Sequence, residues 1–468
     1  MNRYKKLIAN SVIFGIGNFG SKIILILLVP LYTFYLSSSE YGTLDIITIT
    51  TSMLLPFISL SIYEAVLRFV MDKNISIQSV VTNAFAMTTI GIFIAILIYP
   101  ILSYFNVLNG LLIYLYLILI LQAIEVILSQ YTRAIDKVKI YAISGILKTL
   151  TLGVSNILLL TVFKQGINGY LYSIIFSNMV SIVYFASNTD LLKNINVSKL
   201  NMKLMKNMLV YSIPLIPNAF MWFLMNASNR YFILHYKGVE INGLFAVASK
   251  IPALLTIFTS IFGKSWQLSA IEEYNAEDKS KFYTRIFYYY QSFLLLGTSF
   301  ILVLLKPLLN LIFAEAYYLS WQYIPFLLLS VVFSSFSGFL GTNYIAAKET
   351  KGVFKTSLIG GLFSLVLNFI LVPILGGIGA GLATMFSFII IWIIRVYDTK
   401  RFIKITINMK NLVTCLLVII VQITILFLEL SVLLELSLLL ALFILLLVVH
   451  RYLLYEFYTI GKKMLMRR

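Results

Sequence analysis

The ionisable candidates well inside long apolar stretches are Lys22, Lys148, Arg230, Lys250 and Lys264, against Asp45, Glu64 and Glu125. A charge at the centre of a membrane helix costs ~2.5–3.5 kcal/mol on insertion scales, so it normally faces a partner or a water-filled cavity. The surplus is cationic, which suits an anionic group such as a diphosphate or an acidic glycan. Ser11, Gly15, Asn18 and Lys22 share one helix face. Lys22 lies ~20 Å from either end of its apolar run, too far to reach an interface easily. Asn218, Trp222, Asn226 and Arg230 recur every four residues. Such a surface offers guanidinium donors to phosphate and an indole face to sugar. Arg230 and Lys250 both lie ~10 Å from the outer ends of their helices and are expected to form one cationic site.

Blander readings accompany each pattern. Small and amide residues on a helix face also serve interhelical packing, and Trp and Arg near a helix end also anchor it at the interface. Glu125 and Lys148 are equally deep on consecutive helices, ~12 Å from the inner ends, and are expected to pair. The alternative is a titratable acid coupled to a proton or cation. Glu64 and Arg68, four residues apart, are expected to pair with each other. Asp45 lies near an outer helix end, where partial solvation is the simple expectation. Lys264 continues a stripe of Ser249, Thr256 and Ser260.

The elements that position these groups follow from composition. The chain has 468 residues, 60% hydrophobic and 12% charged. Soluble domains run about 45–50% apolar and ~25% charged, so this is an integral membrane protein. The expected fold is an all-α polytopic bundle of about fourteen helices. The apolar stretches are 7–36, 41–68, 78–105, 110–132, 140–163, 166–187, 205–236, 243–268, 282–305, 321–346, 353–374, 377–398, 411–428 and 431–455. The first run exceeds a signal-peptide core and has no cleavage site after it, so it is expected to be retained. Pro214 and Pro217 should bend the seventh helix.

With the N-terminus inside, the inner segments hold 28 of the 36 Lys and Arg residues, and the outer segments hold Lys164, Lys237 and Lys306. That asymmetry predicts both termini in the cytoplasm and accounts for most of the +18 net charge without nucleic acid. Cys415 is the only cysteine, which excludes an internal disulfide. His235 and His450 are far apart, and no metal, cofactor or nucleotide motif is present.

Residues 188–206 form a polar connection, with Leu191, Leu192, Ile195 and Leu200 spaced for an interfacial amphipathic segment. It separates six helices from six. A shift of 201 lays 35–48 on 236–249 and matches Tyr35 to Tyr236 and Gly42 to Gly243. A shift of about 211 lays 164–173 on 375–384. The expected organisation is an N-lobe (1–187), a cytoplasmic linker (188–206), a C-lobe (207–400) and a C-terminal helix pair with a basic tail (401–468). Two such repeats would be related by a pseudo-two-fold axis along the membrane normal.

The segments "NSVIFGIGNFGSKIILILLVPLYTFYLSSSEYGTLDI", "YSIPLIPNAFMWFLMNASNRYFI" and "GLFAVASKIPALLTIFTSIFGKSWQ" resemble Wzx-type polysaccharide flippases. These belong to the multidrug/oligosaccharidyl-lipid/polysaccharide exporter superfamily. The resemblance spans the chain and is most specific at "IPLIPN", "NRYFI" and "VASKIP". It implies translocation of undecaprenyl-diphosphate-linked oligosaccharide across the bacterial plasma membrane by alternating access. The implied partners are lipid-linked oligosaccharide, membrane lipids and polysaccharide polymerase machinery. The family often carries an acid just before the Arg of the "RYFI" segment, where this chain has Asn229. A multidrug or cation antiporter of the same superfamily should have acids dominating its cavity. A membrane-embedded polymerase, ligase or glycosyltransferase usually needs a large outer loop or a catalytic acid cluster, and the sequence shows neither.

Overall fold

A chain in hydrocarbon must satisfy its backbone N–H and C=O groups internally, so apolar stretches of this length become helices. The computed structural model describes residues 20–451 except 23, 73, 107, 109, 191–193, 348, 350 and 429. Most of the described residues are helical, and none of them lies in a strand. They include 13 helical stretches long and apolar enough to cross a membrane, and a shorter apolar helix over Gly20–Tyr35. The chain is a multi-pass membrane protein.

Two compact units divide it, Met1–Ala246 and Val247–Arg468. The first holds α1 (Gly20–Tyr35), α2 (Ser38–Ile58), α3 (Ile62–Val70), α4 (Ile77–Tyr104), α5 (Leu112–Ala134), α6 (Val138–Asn156) and α7 (Gly166–Asn188). It continues with α8 (Met202–Ser212), α9 (Leu215–Asn226) and α10 (Ser228–Lys237), and α11 (Val239–Ala248) runs across the boundary. The second unit holds α12 (Lys250–Glu272), α13 (Lys279–Ile312), α14 (Ile324–Ala346), α15 (Lys351–Leu375), α16 (Gly377–Asp398), α17 (Met409–Leu426) and α18 (Val432–Val449).

Several of the expected helices are broken among the described residues. The 41–68 stretch stops at Leu60 and Ser61, both with φ of 50°. This left-handed region costs a side-chain-bearing residue roughly 1–2 kcal/mol. The amide of Ser61 reaches back to the Pro56 carbonyl at 2.8 Å, closing the end of α2. The 205–236 stretch breaks beside Pro214, as its prolines suggest, and again at Ala227 without any proline. Pro217 is third in α9, where a missing N–H removes no helical hydrogen bond. The 243–268 stretch starts earlier than expected and is divided at Ser249 between α11 and α12.

In the first unit, Ile62 and Val66 of α3 share a core with Val81 of α4, Ile127 of α5, Phe185 of α7 and Met208 of α8. The linker after α7 is pinned to this core. Asn83 donates to the Asn201 carbonyl at 3.3 Å and accepts the Asn201 amide at 3.2 Å. Asn194 donates to the Tyr131 hydroxyl at 2.9 Å. Among the linker's described residues, Val197–Lys199 form a 3-10 turn and α8 begins at Met202.

In the second unit, α14 is the central helix and packs on α12 and α16. Trp266 stacks on Phe339 at 4.2 Å between ring centroids. Arg395 of α16 is buried and donates to the Ser337 carbonyl at 2.7 Å and to Thr356 Oγ1 at 3.0 Å, tying α16 to α14 and α15. Lys306, assigned by sequence to an outer segment, lies inside α13. It pairs with Glu435 of α18 at 2.6 Å, donates to the Leu426 carbonyl at 2.7 Å and sits over the Trp321 ring. This cluster fastens the C-terminal helix pair to α13. Removing one member of such a pair strands its partner, which typically costs about 3–5 kcal/mol, whereas an apolar replacement of both is far better tolerated. Lys306→Met should therefore lower the thermal midpoint of the purified protein sharply. Lys306→Met with Glu435→Leu should recover most of the loss in the same unfolding measurement.

Candidate functional site

Four of the charges singled out by sequence meet in two ion pairs of the first unit. Glu125 of α5 accepts from Lys148 of α6 at 2.9 Å and from Ser181 of α7 at 3.1 Å. Ser181 also meets Ser144 at 2.9 Å, so α5, α6 and α7 share one polar knot. The Glu125–Lys148 contact is the geometry expected from their equal depth.

The second pair joins segments far apart in sequence. Arg230 Nε lies 3.3 Å from Asp45 Oδ2, and the Asp45 side chain is only 11% exposed. Partial solvation, expected for Asp45 from its position, is thus replaced by a buried guanidinium. Arg230 also donates to Asn229 Oδ1 at 3.0 Å and stacks over Phe245 at 4.6 Å. One turn further along α2, the Thr50 and Tyr231 hydroxyls meet at 2.7 Å. Asn229, at the position where an acid is common in the resembled family, serves here as a hydrogen-bond acceptor for Arg230.

Beside this pair, α2 and α11 cross with no room between their backbones. A Cβ on Gly42 would overlap the Val239 carbonyl oxygen, and a Cβ on Gly243 would overlap that of Ser38. The contact is reciprocal, and residues 38 and 42 lie on 239 and 243 by the same offset of 201 that aligns the repeats. Asn242 adds a hydrogen bond to the Gly42 carbonyl at 3.0 Å. Glu40, in the first turn of α2, caps it in a box with Ser37, each taking the other's backbone amide at 3.2 and 2.9 Å. A cavity of about 350 Å³ opens next to this end, lined by Ser39, Glu40, Thr43, Leu234 and Val239 among others. Rings continue the contact along α2 and α3: Phe57 meets Phe220 at 5.9 Å and Phe69 meets Tyr211 at 6.0 Å. α2 is therefore fastened to α9, α10 and α11 from end to end.

The other sequence-predicted residues fall outside these clusters. Lys22 is helical and exposed, while Ser11, Gly15 and Asn18 lie outside the described residues. Asn218 and Trp222 are helical in α9, and Asn226 is exposed at its end. Lys250 is half-buried at the start of α12, in the second unit, and Lys264 is exposed on the same helix. Among the described residues, Lys22, Lys250 and Lys264 form no ion pair. Nor do Glu64 and Arg68, contrary to the i,i+4 expectation: Glu64 is half-buried on the short α3 while Arg68 is exposed. Described residues contain no cluster of His, Cys, Asp or Glu suited to a metal ion. Cys415 is buried, with His450 Nε2 3.9 Å from its sulfur.

The family model described as "Polysaccharide biosynthesis protein" matches residues 7–266. No curated protein matches the chain. Among solved structures, it resembles the lipid II flippase MurJ in an inward closed conformation, with a TM-score of 0.72 at 14% identity, covering 95% of this chain and 100% of that one. It resembles an inward-facing multidrug resistance MATE family transporter of the MOP superfamily with a TM-score of 0.63 at 14% identity, covering 81% and 95%. A MOP superfamily transporter from Pyrococcus furiosus, described as having a binding pocket of reversed polarity, aligns with a TM-score of 0.53 at 15% identity, covering 85% and 96%. These likenesses establish the fold.

The Asp45–Arg230 pair makes a stability prediction. Arg230→Gln leaves the Asp45 carboxylate without its cation and should cost about 3–5 kcal/mol. Asp45→Asn together with Arg230→Gln removes both charges and should restore part of the loss. A double-mutant cycle on thermal unfolding measures the coupling, and additive effects would mean the two groups do not interact in the folded protein.

Proposed function

The chain belongs to the polysaccharide biosynthesis protein family, and from this premise we propose that it is a flippase for undecaprenyl-diphosphate-linked oligosaccharide repeat units. It works in the bacterial plasma membrane with both termini in the cytoplasm, and it transports without chemical conversion of its cargo. Its assembly partners would be the polymerase machinery that consumes the translocated unit.

The observation that carries this reading is how the intramembrane charges divide. Asp45, Glu125 and Glu435 each have a basic partner, Arg230, Lys148 and Lys306 respectively. Lys22, Lys250 and Lys264 form no ion pair among the described residues, against Glu64 as the remaining acid of the original set. The uncommitted charge is cationic. That favours an anionic diphosphate over the cationic cargo of a drug antiporter, and Lys22 and Lys250 are the residues we assign to the headgroup. Arg230 and the amides near it would act indirectly, by holding α10 against α2.

Alternating access supplies the mechanism. With the N-terminus inside, the start of α2 faces outward, so the Gly42–Gly243 crossing would seal the outer side while the headgroup loads from the cytoplasm. The N-lobe, linker, C-lobe and C-terminal pair read from sequence, 1–187, 188–206, 207–400 and 401–468, would be the bodies that rock. The cycle then needs α2 and α11 to part and rejoin.

Two measurements test this. Lys22→Ala and Lys250→Ala should each abolish surface glycan in cells while leaving the amount of membrane-inserted protein unchanged. Purified protein in vesicles should move defined lipid-linked oligosaccharide between leaflets, and both lysine variants should not. Full glycan production in both would sink the assignment, and drug resistance conferred without leaflet exchange would favour the antiporter. For the seal, Gly243→Ala should increase the labelling of Thr50→Cys by a membrane-impermeant maleimide applied from outside. Unchanged labelling would show that the crossing is no barrier.

A further inference from the structure

A second cavity lies in the second unit. It measures about 350 Å³ and is bounded by the first three turns of α13 and the segment that leads into α17. Lys281, Thr284, Arg285, Tyr288 and Gln291 line it from α13. Their spacing of three and four residues puts them on one helix face. Thr406, Ile407 and Asn408 form the facing wall, held there by the Thr406 amide, which donates to Thr284 Oγ1 at 3.0 Å.

The lining is built for an anion with an apolar tail. Among the described residues it is lined by two cations and no carboxylate; Glu277 and Asp278, the nearest acids in sequence, precede α13 and do not line it. Arg285 is oriented by Tyr289, whose hydroxyl accepts from Nε at 2.6 Å. Asn408 caps α17 by accepting the Asn411 amide at 3.1 Å, so the positive end of that 18-residue helix opens beside the cavity. The floor is the buried Gln291, and Phe287, Tyr288 and Ile407 supply apolar surface.

Length places the cavity at headgroup depth. α13 has 34 residues and spans ~51 Å, against ~30 Å of hydrocarbon. Its first turns, on the Lys- and Arg-rich face, therefore project into the headgroup layer. Basic pockets at that level suit anionic lipid headgroups. We propose that this cavity holds the phosphodiester of an anionic membrane phospholipid, with Lys281 and Arg285 on the phosphate and the apolar wall on the glycerol and first methylenes. A phospholipid is favoured over free phosphate because the apolar half of the lining has no use in binding a bare ion. The inference stands apart from the transport reading and needs only that the chain lies in a membrane.

The test is lipid retention by the full-length protein, measured by native mass spectrometry with phosphatidylglycerol, with phosphatidylcholine, and with phosphatidylglycerol plus inorganic phosphate. The wild-type protein should retain phosphatidylglycerol in preference to phosphatidylcholine. Lys281→Gln with Arg285→Gln should weaken retention roughly 30-fold, about fivefold per cation. Both side chains are exposed, so folding should survive, and an unchanged thermal midpoint verifies it. Lys199→Gln with Lys203→Gln removes the same charge from exposed positions in the first unit and should change retention by less than about twofold. Equal retention by the Lys281/Arg285 variant, or an equal loss in the control, overturns the proposal. Displacement of the lipid by millimolar inorganic phosphate would overturn the choice of a lipid as occupant.

Discussion

Two glycines, one on each helix, let α2 and α11 touch backbone to backbone, and much of what surrounds them depends on that approach. Helices in a bilayer gain little from burying apolar surface against one another, since lipid tails are equally apolar, so they associate through close packing and polar contacts. At the crossing of α2 and α11, Gly42 and Gly243 each face the carbonyl of the other helix's preceding turn. Once the backbones touch, Asn242 can reach the Gly42 carbonyl. α10, joined to α11 through Gly238 at φ 86°, is then carried to where Arg230 meets Asp45. A larger residue at either glycine would separate the helices by more than a hydrogen bond's tolerance, and the polar contacts would go with it.

The reciprocity of this contact has a geometric meaning. When residue i of one helix touches residue j of another and their equivalents touch in return, a two-fold axis passes between them. Here the equivalents belong to the two internal repeats rather than to two subunits. The same offset relates Ser38 to Val239 and Gly42 to Gly243. The local pseudo-axis therefore runs through the crossing itself, where equivalent residues of the repeats meet like with like. Away from it, the partners differ in kind: Asp45 faces Arg230, and Thr50 faces Tyr231.

Hydropathy and charge asymmetry made the class of fold legible, because helix length in a membrane is set by bilayer thickness and each helix is a local event. The Gly42–Gly243 match was also visible, as one weak correspondence in the repeat, though nothing in a single sequence says that equivalent residues touch. Helix breaks were legible where a proline marks one, beside Pro214, and not at Leu60–Ser61 or Ala227, where φ angles rather than residue types carry the break. The charges divided in the same way. Glu125 and Lys148 lie on consecutive helices of known depth, so their pairing could be argued from 23 residues of separation. Arg230 and Asp45 are 185 residues apart and Lys306 and Glu435 are 129 apart, and only the packing of non-consecutive helices brings them together. Arg230, read from its spacing with Trp222 and Asn226 as a ligand for phosphate, turns out to be committed to a carboxylate.

That commitment bears on how such a crossing can open. A seal made by side-chain interdigitation would have to repack before it parted, whereas helices that touch by backbone at glycine can separate and return without changing rotamers. The polar contacts beside it act in the opposite direction. Separating Asp45 from Arg230 in a dry environment would leave two charges unpaired, a penalty of several kcal/mol per ion. The pair can part at tolerable cost only if water or polar groups of a cargo replace each partner. On the transport reading, the glycines make opening sterically simple while the ion pair makes it conditional, so an empty, dry passage stays shut.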